Sequence, residues 1–319
     1  MNELSEITKI KIQILENGIK FAPITLFTNM KDVKKFKMKT INKHPISNGK
    51  EVFDISDDDS LVPAEIMLKQ EDKESLVKCR FNNNSPVELL FEGNKLKLKI
   101  DNKQSNVECK LVPNYDFLKI KVNDEYCVED YVDIVGMDRI SILLFEGCYN
   151  WVCGKQCKFC DLHPKKATDK VTRPTINTLY KFENAEDWWE FYKKDYFLNI
   201  KKSLDIILKQ NALKHNHLLI MAGNLTNSKM AWKCLLDLTS FLSKNYDMNI
   251  FDSYANVCPH PDIESLKTLK SHGVKQVQYN LEVSNPKLFA EMCPGKVSYE
   301  EFKLKLFEAV DVFGKGNVR

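Results

Sequence analysis

Up to about residue 135 the chain alternates apolar and polar positions. Ile10, Ile12 and Ile14 are interleaved with Lys11 and Gln13, and Leu96, Leu98 and Ile100 with Lys97 and Lys99, the period-two pattern of half-buried strands. Glu92-Gly93-Asn94-Lys95 has the chemistry of a turn, so a hairpin is expected between Val87–Phe91 and Leu96–Ile100. Asn82-Asn83-Asn84-Ser85-Pro86 reads as a loop, and the acidic run Asp54, Asp57, Asp58, Asp59 as a solvated loop, with a cation site as the alternative.

From about residue 138 the pattern changes to strands and helices in turn. Ile140 to Phe145 is a continuous apolar run, as expected of a strand buried on both faces. Residues 187–212 place Trp188, Phe191, Tyr192, Tyr196, Ile200, Leu204 and Ile207 at helical spacing, which reads as a core-facing stripe. A strand over Leu218–Met221, a helix over Ser228–Ser243 and a strand from Ile250 to about Val257 follow. Pro261 and Asp262 open a helix expected to bury Ile263, Leu266 and Leu269, and Gly273 ends it before a strand over Val274–Val283. A last helix spans roughly Tyr299 to Phe313. About four βα units in succession require parallel strands with right-handed crossovers, in a doubly wound sheet or a barrel. In either case the loops after Phe145, Met221, Val257 and Val283 converge at the working surface.

The length of 319 residues allows two domains, or one α/β domain with an extension. Hydrophobic residues at 43%, charged residues at 29% and a mean hydropathy of -0.36 exclude a disordered or membrane-spanning class. No apolar run approaches the roughly 18 residues of a spanning helix, and Met1 to Leu15 mixes charge into what a signal peptide would keep apolar, so a cytoplasmic protein is expected. The net charge of +3 is small for this size. Only Arg80, Arg139, Arg173 and Arg319 are arginines, and a lysine-dominated set of cations lacks the planar fork that reads phosphates and bases, which argues against nucleic acid.

Ten cysteines without an export signal read as reduced thiols, metal ligands or redox groups. Directly after the first parallel strand comes Cys148-Tyr-Asn-Trp-Val-Cys153-Gly-Lys-Gln-Cys157-Lys-Phe-Cys160-Asp161. Three thiolates on one loop, Cys153, Cys157 and Cys160, suit three irons of a 4Fe-4S cluster and leave the fourth iron open to a chelating small molecule. The alternative is a zinc-stabilised binding module, with Cys148 or His163 completing a tetrahedron. Gly154, Lys155 and Lys158 argue against packing this loop in a core. Cys79, Cys109, Cys127, Cys234, Cys258 and Cys293 have no close paired spacing and read as buried thiols, or as donors to an additional cluster.

The Cys-X3-Cys-X2-Cys spacing at a strand end, with Phe159 before the third cysteine, resembles the radical S-adenosylmethionine (radical SAM) superfamily over residues 138–319. Ala222-Gly223-Asn224 sits where that family has a Gly-Gly-Glu-like turn, though the first Gly and the Glu are missing here. Tyr279-Asn280-Leu281-Glu282-Val283 and Cys293-Pro294-Gly295 are similar to the Asn-Leu-Glu and Pro-Gly segments of lipoyl synthases, and to the Asn-Leu-Asp of biotin synthases. The second cysteine triplet of lipoyl synthases has no match in residues 1–147, so their substrate is not carried over.

The resemblance implies an α/β fold: a partial TIM-barrel-like (βα) core over 138–319 with a β-rich N-terminal domain over 1–135. The family's barrel has six βα units, whereas this sequence reads as truncated after about four, ending at Gly316-Asn317-Val318-Arg319 where a fifth strand should begin. It implies cluster ligation by Cys153, Cys157 and Cys160, with S-adenosylmethionine chelated at the open iron and cleaved reductively to a 5′-deoxyadenosyl radical. Phe159 would then lie near adenine, Gly223 and Asn224 near the methionine amino group, and Asn280 and Glu282, two apart on one strand face, at the ribose hydroxyls. An inward Asn or Glu can equally serve a buried polar network. An electron donor such as flavodoxin or ferredoxin is implied, for which Lys155, Lys158, Lys165 and Lys166 are a candidate docking patch or a plain solvated charge run. His163, His260 and His272 have no defined catalytic role. The substrate, a small molecule or a peptide, stays open, as does a cluster-binding fragment without turnover.

Overall fold

A computed structural model of the chain describes residues 4–29, 33, 35–37, 61–92, 95–160, 162 and 173–319. Asp54, Asp57–Asp59, Gly93, Asn94, Asp161, His163, Lys165 and Lys166 lie outside the described residues. The chain is mixed α/β and divides into two compact units, residues 1–115 and 116–319.

The first unit contains α1 (Glu6–Asn17), β1 (Lys20–Ala22), α2 (Ile24–Asn29), β2 (Lys35–Lys37), β3 (Leu61–Pro63), β4 (Glu65–Gln70), β5 (Lys73–Lys78), β6 (Val87–Glu92), β7 (Lys95–Ile100), β8 (Lys103–Gln104) and β9 (Glu108–Leu111). Its sheets run β1-β6-β7-β8, β5-β4-β9 and β2-β3. The expected hairpin is β6–β7, in register from Val87 opposite Ile100 to Glu92 opposite Lys95. The strand expected at Ile10 to Ile14 is instead the helix α1. Ile7, Ile10 and Ile14 recur at helical spacing and are buried, whereas Ile12, which the alternating pattern placed with them, is 38% exposed. The buried stripe packs with Ile66, Leu68, Val87, Leu89 and Leu98 in one core.

The second unit begins about twenty residues before the expected boundary at 135: the 3-10 turns Asp116–Lys119 and Val128–Asp130 pack on the helix over Ala185–Gln210, and the strand β10 (Val132–Val135) pairs antiparallel with β11 (Arg139–Leu143) in the same sheet. Next come α3 (Tyr149–Val152), α4 (Ala185–Gln210), β12 (His217–Met221), α5 (Ser228–Asn245), β13 (Asp252–Asn256), α6 (Ile263–Ser271), β14 (Gln276–Gln278), α7 (Pro286–Met292) and α8 (Tyr299–Phe313). The five-stranded sheet has the order β10-β11-β12-β13-β14, and β11 to β14 are all parallel. None of the sheets closes into a barrel among the described residues. Val318 pairs parallel with Val277, extending the sheet beyond β14.

Asn184, Asn227, Asp262, Asn285 and Ser298 cap helices α4 to α8, each accepting from first-turn backbone N–H groups. Trp188, Tyr196, Ile200, Leu204 and Ile207 of α4 are buried as expected, together with Trp189. Phe191, 67% exposed, and Ile263, 36% exposed, are not core residues: each sits at the solvent edge of its helical stripe. Among the described residues no helix is long and apolar enough to cross a membrane.

The register sets the position of the site. Leu143 pairs with Met221, Met221 with Asn256, and Asn256 with Gln278, so the four parallel strands finish in one row. The loops that follow them leave from the same edge.

Candidate functional site

At that edge the chain encloses a cavity of about 420 Å³. Its wall includes Cys153, Cys157, Cys160, Phe159, Gly223, Asn224, Asn280 and Glu282, drawn from three loops remote from one another in sequence. The three cysteines and the five residues implied for the cofactor therefore line one cavity.

The cysteine loop leaves β11 through Gly147, whose φ of 92° lies in the left-handed region open to glycine. The loop after β12 is stitched onto it: Tyr149 N–H donates to the Asn224 carbonyl at 2.8 Å, and Asn224 N–H to the Cys148 sulfur at 3.3 Å. Gly223 allows this approach, since a Cβ there would lie 2.6 Å from the Gly147 carbonyl and 2.7 Å from the Cys148 Cβ. The loop after α7 closes the other side. Lys158 N–H donates to the Met292 carbonyl at 2.9 Å, Lys158 pairs with Glu291 at 2.7 Å, and a Cβ on Gly295 would overlap Asn150 and the Lys155 carbonyl.

Each of the three thiols has a partner. Cys153 donates to the Tyr149 carbonyl at 3.1 Å, Cys157 lies beside Cys293, and Cys160 accepts from Leu162 N–H at 3.4 Å. Burial, reinforced by Cys293, pushes the Cys157 thiol up to about 12, and burial raises Cys148 and Cys293 as well. As they stand, no three Cys, His, Asp or Glu side chains among the described residues are gathered closely enough to hold a metal ion. The residues fit an iron–sulfur cluster in donor chemistry, all sulfur, and in their common access to one cavity. Gathering around iron requires Cys153 to give up its bond to the Tyr149 carbonyl and Cys157 to turn from Cys293, whereas Cys160 as a thiolate can keep the Leu162 N–H.

Asn280 and Glu282 do not share a strand face, because β14 ends at Gln278 and both residues lie in the loop beyond it. Glu282 has a φ of 66°. Gln278 Nε2 donates to Asn280 Oδ1 at 2.8 Å. Lys296, which the sequence reading missed, donates to the Asn280 carbonyl, lies 3.6 Å from the Glu282 carboxylate and sits over the Phe302 ring at 5.7 Å. Asn256 and Cys258 also line the cavity from the end of β13. Their signal was positional: each stands at the end of a predicted parallel strand.

Of the candidate docking lysines, Lys158 is engaged by Glu291, and Lys155 lies on the cavity wall. His260 is buried away from the cavity, between the Tyr279 hydroxyl at 3.0 Å and Glu308 at 2.8 Å. His272 faces the Thr239 hydroxyl at 2.9 Å. Compared with known proteins, the chain matches no family model, and no curated protein or solved structure resembles it significantly.

Proposed function

We propose that the chain is a radical S-adenosylmethionine enzyme, its residues 138–319 forming a partial barrel-like (βα) core. One observation carries the reading: the three cysteines of the loop and the three further segments that resemble the family line a single cavity at the carboxyl edge of four parallel strands.

Cys153, Cys157 and Cys160 would hold the 4Fe-4S cluster. Held there, such a cluster would supply the one-electron reducing chemistry that cleaves S-adenosylmethionine into methionine and a 5′-deoxyadenosyl radical able to abstract hydrogen from an unactivated carbon. The chain's own task is to bind, orient and shield. Gly223 seats the β12 loop directly on the cysteine loop, which sets its backbone and Asn224 on the cavity wall, where a ligand amino group would bind. Glu282 offers a carboxylate to ribose hydroxyls, and Asn280 stands next to it on the wall. Phe159 contributes an apolar face for a purine ring. Lys296, 3.6 Å from the Glu282 carboxylate, holds that side chain in place on the wall. An electron donor of the flavodoxin or ferredoxin kind completes the system, and the substrate is a small molecule or a peptide.

The test is anaerobic reconstitution with iron and sulfide. A brown protein with about four irons is expected, which forms 5′-deoxyadenosine from S-adenosylmethionine once reduced. Cys153→Ser, Cys157→Ser and Cys160→Ser should each abolish both properties, and Cys148→Ser neither. A colourless protein holding one zinc through Cys148 and the loop thiols would overturn the proposal. A brown protein that binds S-adenosylmethionine without cleaving it would reduce it to a cluster-binding role.

A further inference from the structure

Beside the cysteine cavity lies a second hollow of about 540 Å³, and the two share Tyr149 and Thr226 as a common wall. This size is in the range of small-molecule sites, about 300–1,000 Å³. Its floor is Ile176, buried at 3% exposure, and its sides are Val152, Leu179, Tyr180 and Phe182. The 3-10 turn Ile176–Lys181 that carries much of this wall is anchored to the end of β11. Glu146 N–H donates to the Pro174 carbonyl at 2.7 Å, and Ile176 N–H to the Glu146 carbonyl at 3.0 Å.

The exposed side chains are unusual for a surface. Tyr180 is 80% exposed, Val152 56% and Phe191 67%. Tyr180 and Phe182 form an aromatic ledge on the wall, and the Phe182 ring packs against that of Phe191 at 5.3 Å. Large contiguous apolar surfaces of this kind mark binding sites. Among the described residues no lysine or arginine lines the hollow, and the carboxylate of Glu183 does. Phosphorylated or carboxylated ligands are disfavoured there.

We propose that this hollow binds a neutral or cationic small molecule with an aromatic or branched hydrocarbon group, inserted beneath the ledge of Tyr180 and Phe182. Its neighbour across the Tyr149–Thr226 wall is the cavity described above, so the rest of such a molecule reaches toward that cavity. Service as the substrate's binding site rests on the radical reading, whereas affinity for an apolar ligand does not.

The experiment uses the full chain prepared without iron and the neutral fluorescent amine N-phenyl-1-naphthylamine. Saturable binding is expected, weakened about tenfold or more by Tyr180→Ala and by Val152→Asp. Both residues are exposed, and circular dichroism verifies that the variants fold. The anionic analogue 1-anilinonaphthalene-8-sulfonate should bind more weakly than the neutral amine, and Glu183→Gln should narrow that gap. Absence of saturable binding, binding indifferent to both wall substitutions, or preference for the anionic probe would overturn the proposal. Because the assay contains neither iron nor S-adenosylmethionine, its failure is separate from a failure of the radical reading, which the formation of 5′-deoxyadenosine decides.

Discussion

The Cys157 thiol lies beside that of Cys293, bringing the cysteine loop against the C-terminal end of α7. Burial is the larger cause of the raised Cys157 value of about 12, and Cys293 adds to it. At pH 8 only about one Cys157 in ten thousand is then the nucleophilic thiolate. Cys153, in contrast, is exposed.

In the iron-free protein, iodoacetamide should therefore modify Cys153 first and leave Cys157 almost untouched, as read by peptide mass spectrometry. Replacing Cys293 by Ala removes the partner thiol and opens the site, so Cys157 should then react at least about threefold faster. Equal rates at Cys153 and Cys157 in the unsubstituted chain would contradict the burial of Cys157, and an unchanged Cys157 rate in Cys293→Ala would contradict its suppression by Cys293.

The two glycines that seat neighbouring loops on the cysteine loop make a structural prediction. Gly223→Ala sets a methyl 2.6 Å from the Gly147 carbonyl, and Gly295→Ala overlaps another backbone carbonyl, that of Lys155. Neither obstacle is the end of a flexible side chain, so each variant should lose about 1–3 kcal/mol in urea unfolding. At Gly154 nothing lies within 4 Å of the added carbon, and only its φ of +67° opposes substitution. Gly154→Ala should cost no more than about 1 kcal/mol.

Stability should fall on the alkaline side. Burial pushes Cys109 up to about 12 and raises Cys79 further, the latter with a contribution from Cys109. Unfolded thiols ionise near about 8.5, so above that pH the unfolded chain has lost protons that the folded chain retains. Each buried thiol then withdraws up to about 1.4 kcal/mol of stability per pH unit until its folded value is reached. Urea midpoints should drop between about pH 7.5 and pH 9.5, and Cys109→Ala should flatten that drop.

The acid side has a different source. Burial lowers His260 below its ordinary value, outweighing the Glu308 carboxylate 2.8 Å away. A depressed base binds fewer protons folded than unfolded, so its contribution is intact above about pH 6.5 and is lost as the pH falls below it. His260→Gln should reduce the loss of stability between about pH 7 and pH 5.5, measured by the same urea titration.

Much of the second unit was legible because its strands are short apolar runs and its helices carry long stripes with caps. Asp262 and Gly273 mark the limits of α6 as cleanly in the sequence as in the fold. The first helix was misread because Ile10, Ile12 and Ile14 satisfy a period of two as well as they contribute to a helical stripe, and only Ile7 breaks the tie. The strand expected over Val274–Val283 stops at Gln278 because the pairing with β13 stops there, a limit that no local pattern encodes. The cysteine loop announced itself by spacing. Lys296 and Cys293 did not, since their roles arise from chain segments that meet only in three dimensions.

Glu282 makes the last prediction. A non-glycine residue at a φ of 66° pays for a conformation that L side chains rarely adopt, and strain of this kind costs about 1 kcal/mol. Its ion pair with Lys296, at 3.6 Å and partly exposed, returns at most a fraction of that. Glu282→Gly should therefore raise the unfolding free energy by about 0.5–1 kcal/mol. In the reconstituted protein the same change removes a carboxylate from the cavity wall and should weaken S-adenosylmethionine binding about tenfold by calorimetry. A loss of stability in Glu282→Gly would show that the ion pair outweighs the strain. Unchanged affinity would remove Glu282 from the nucleoside side of the site.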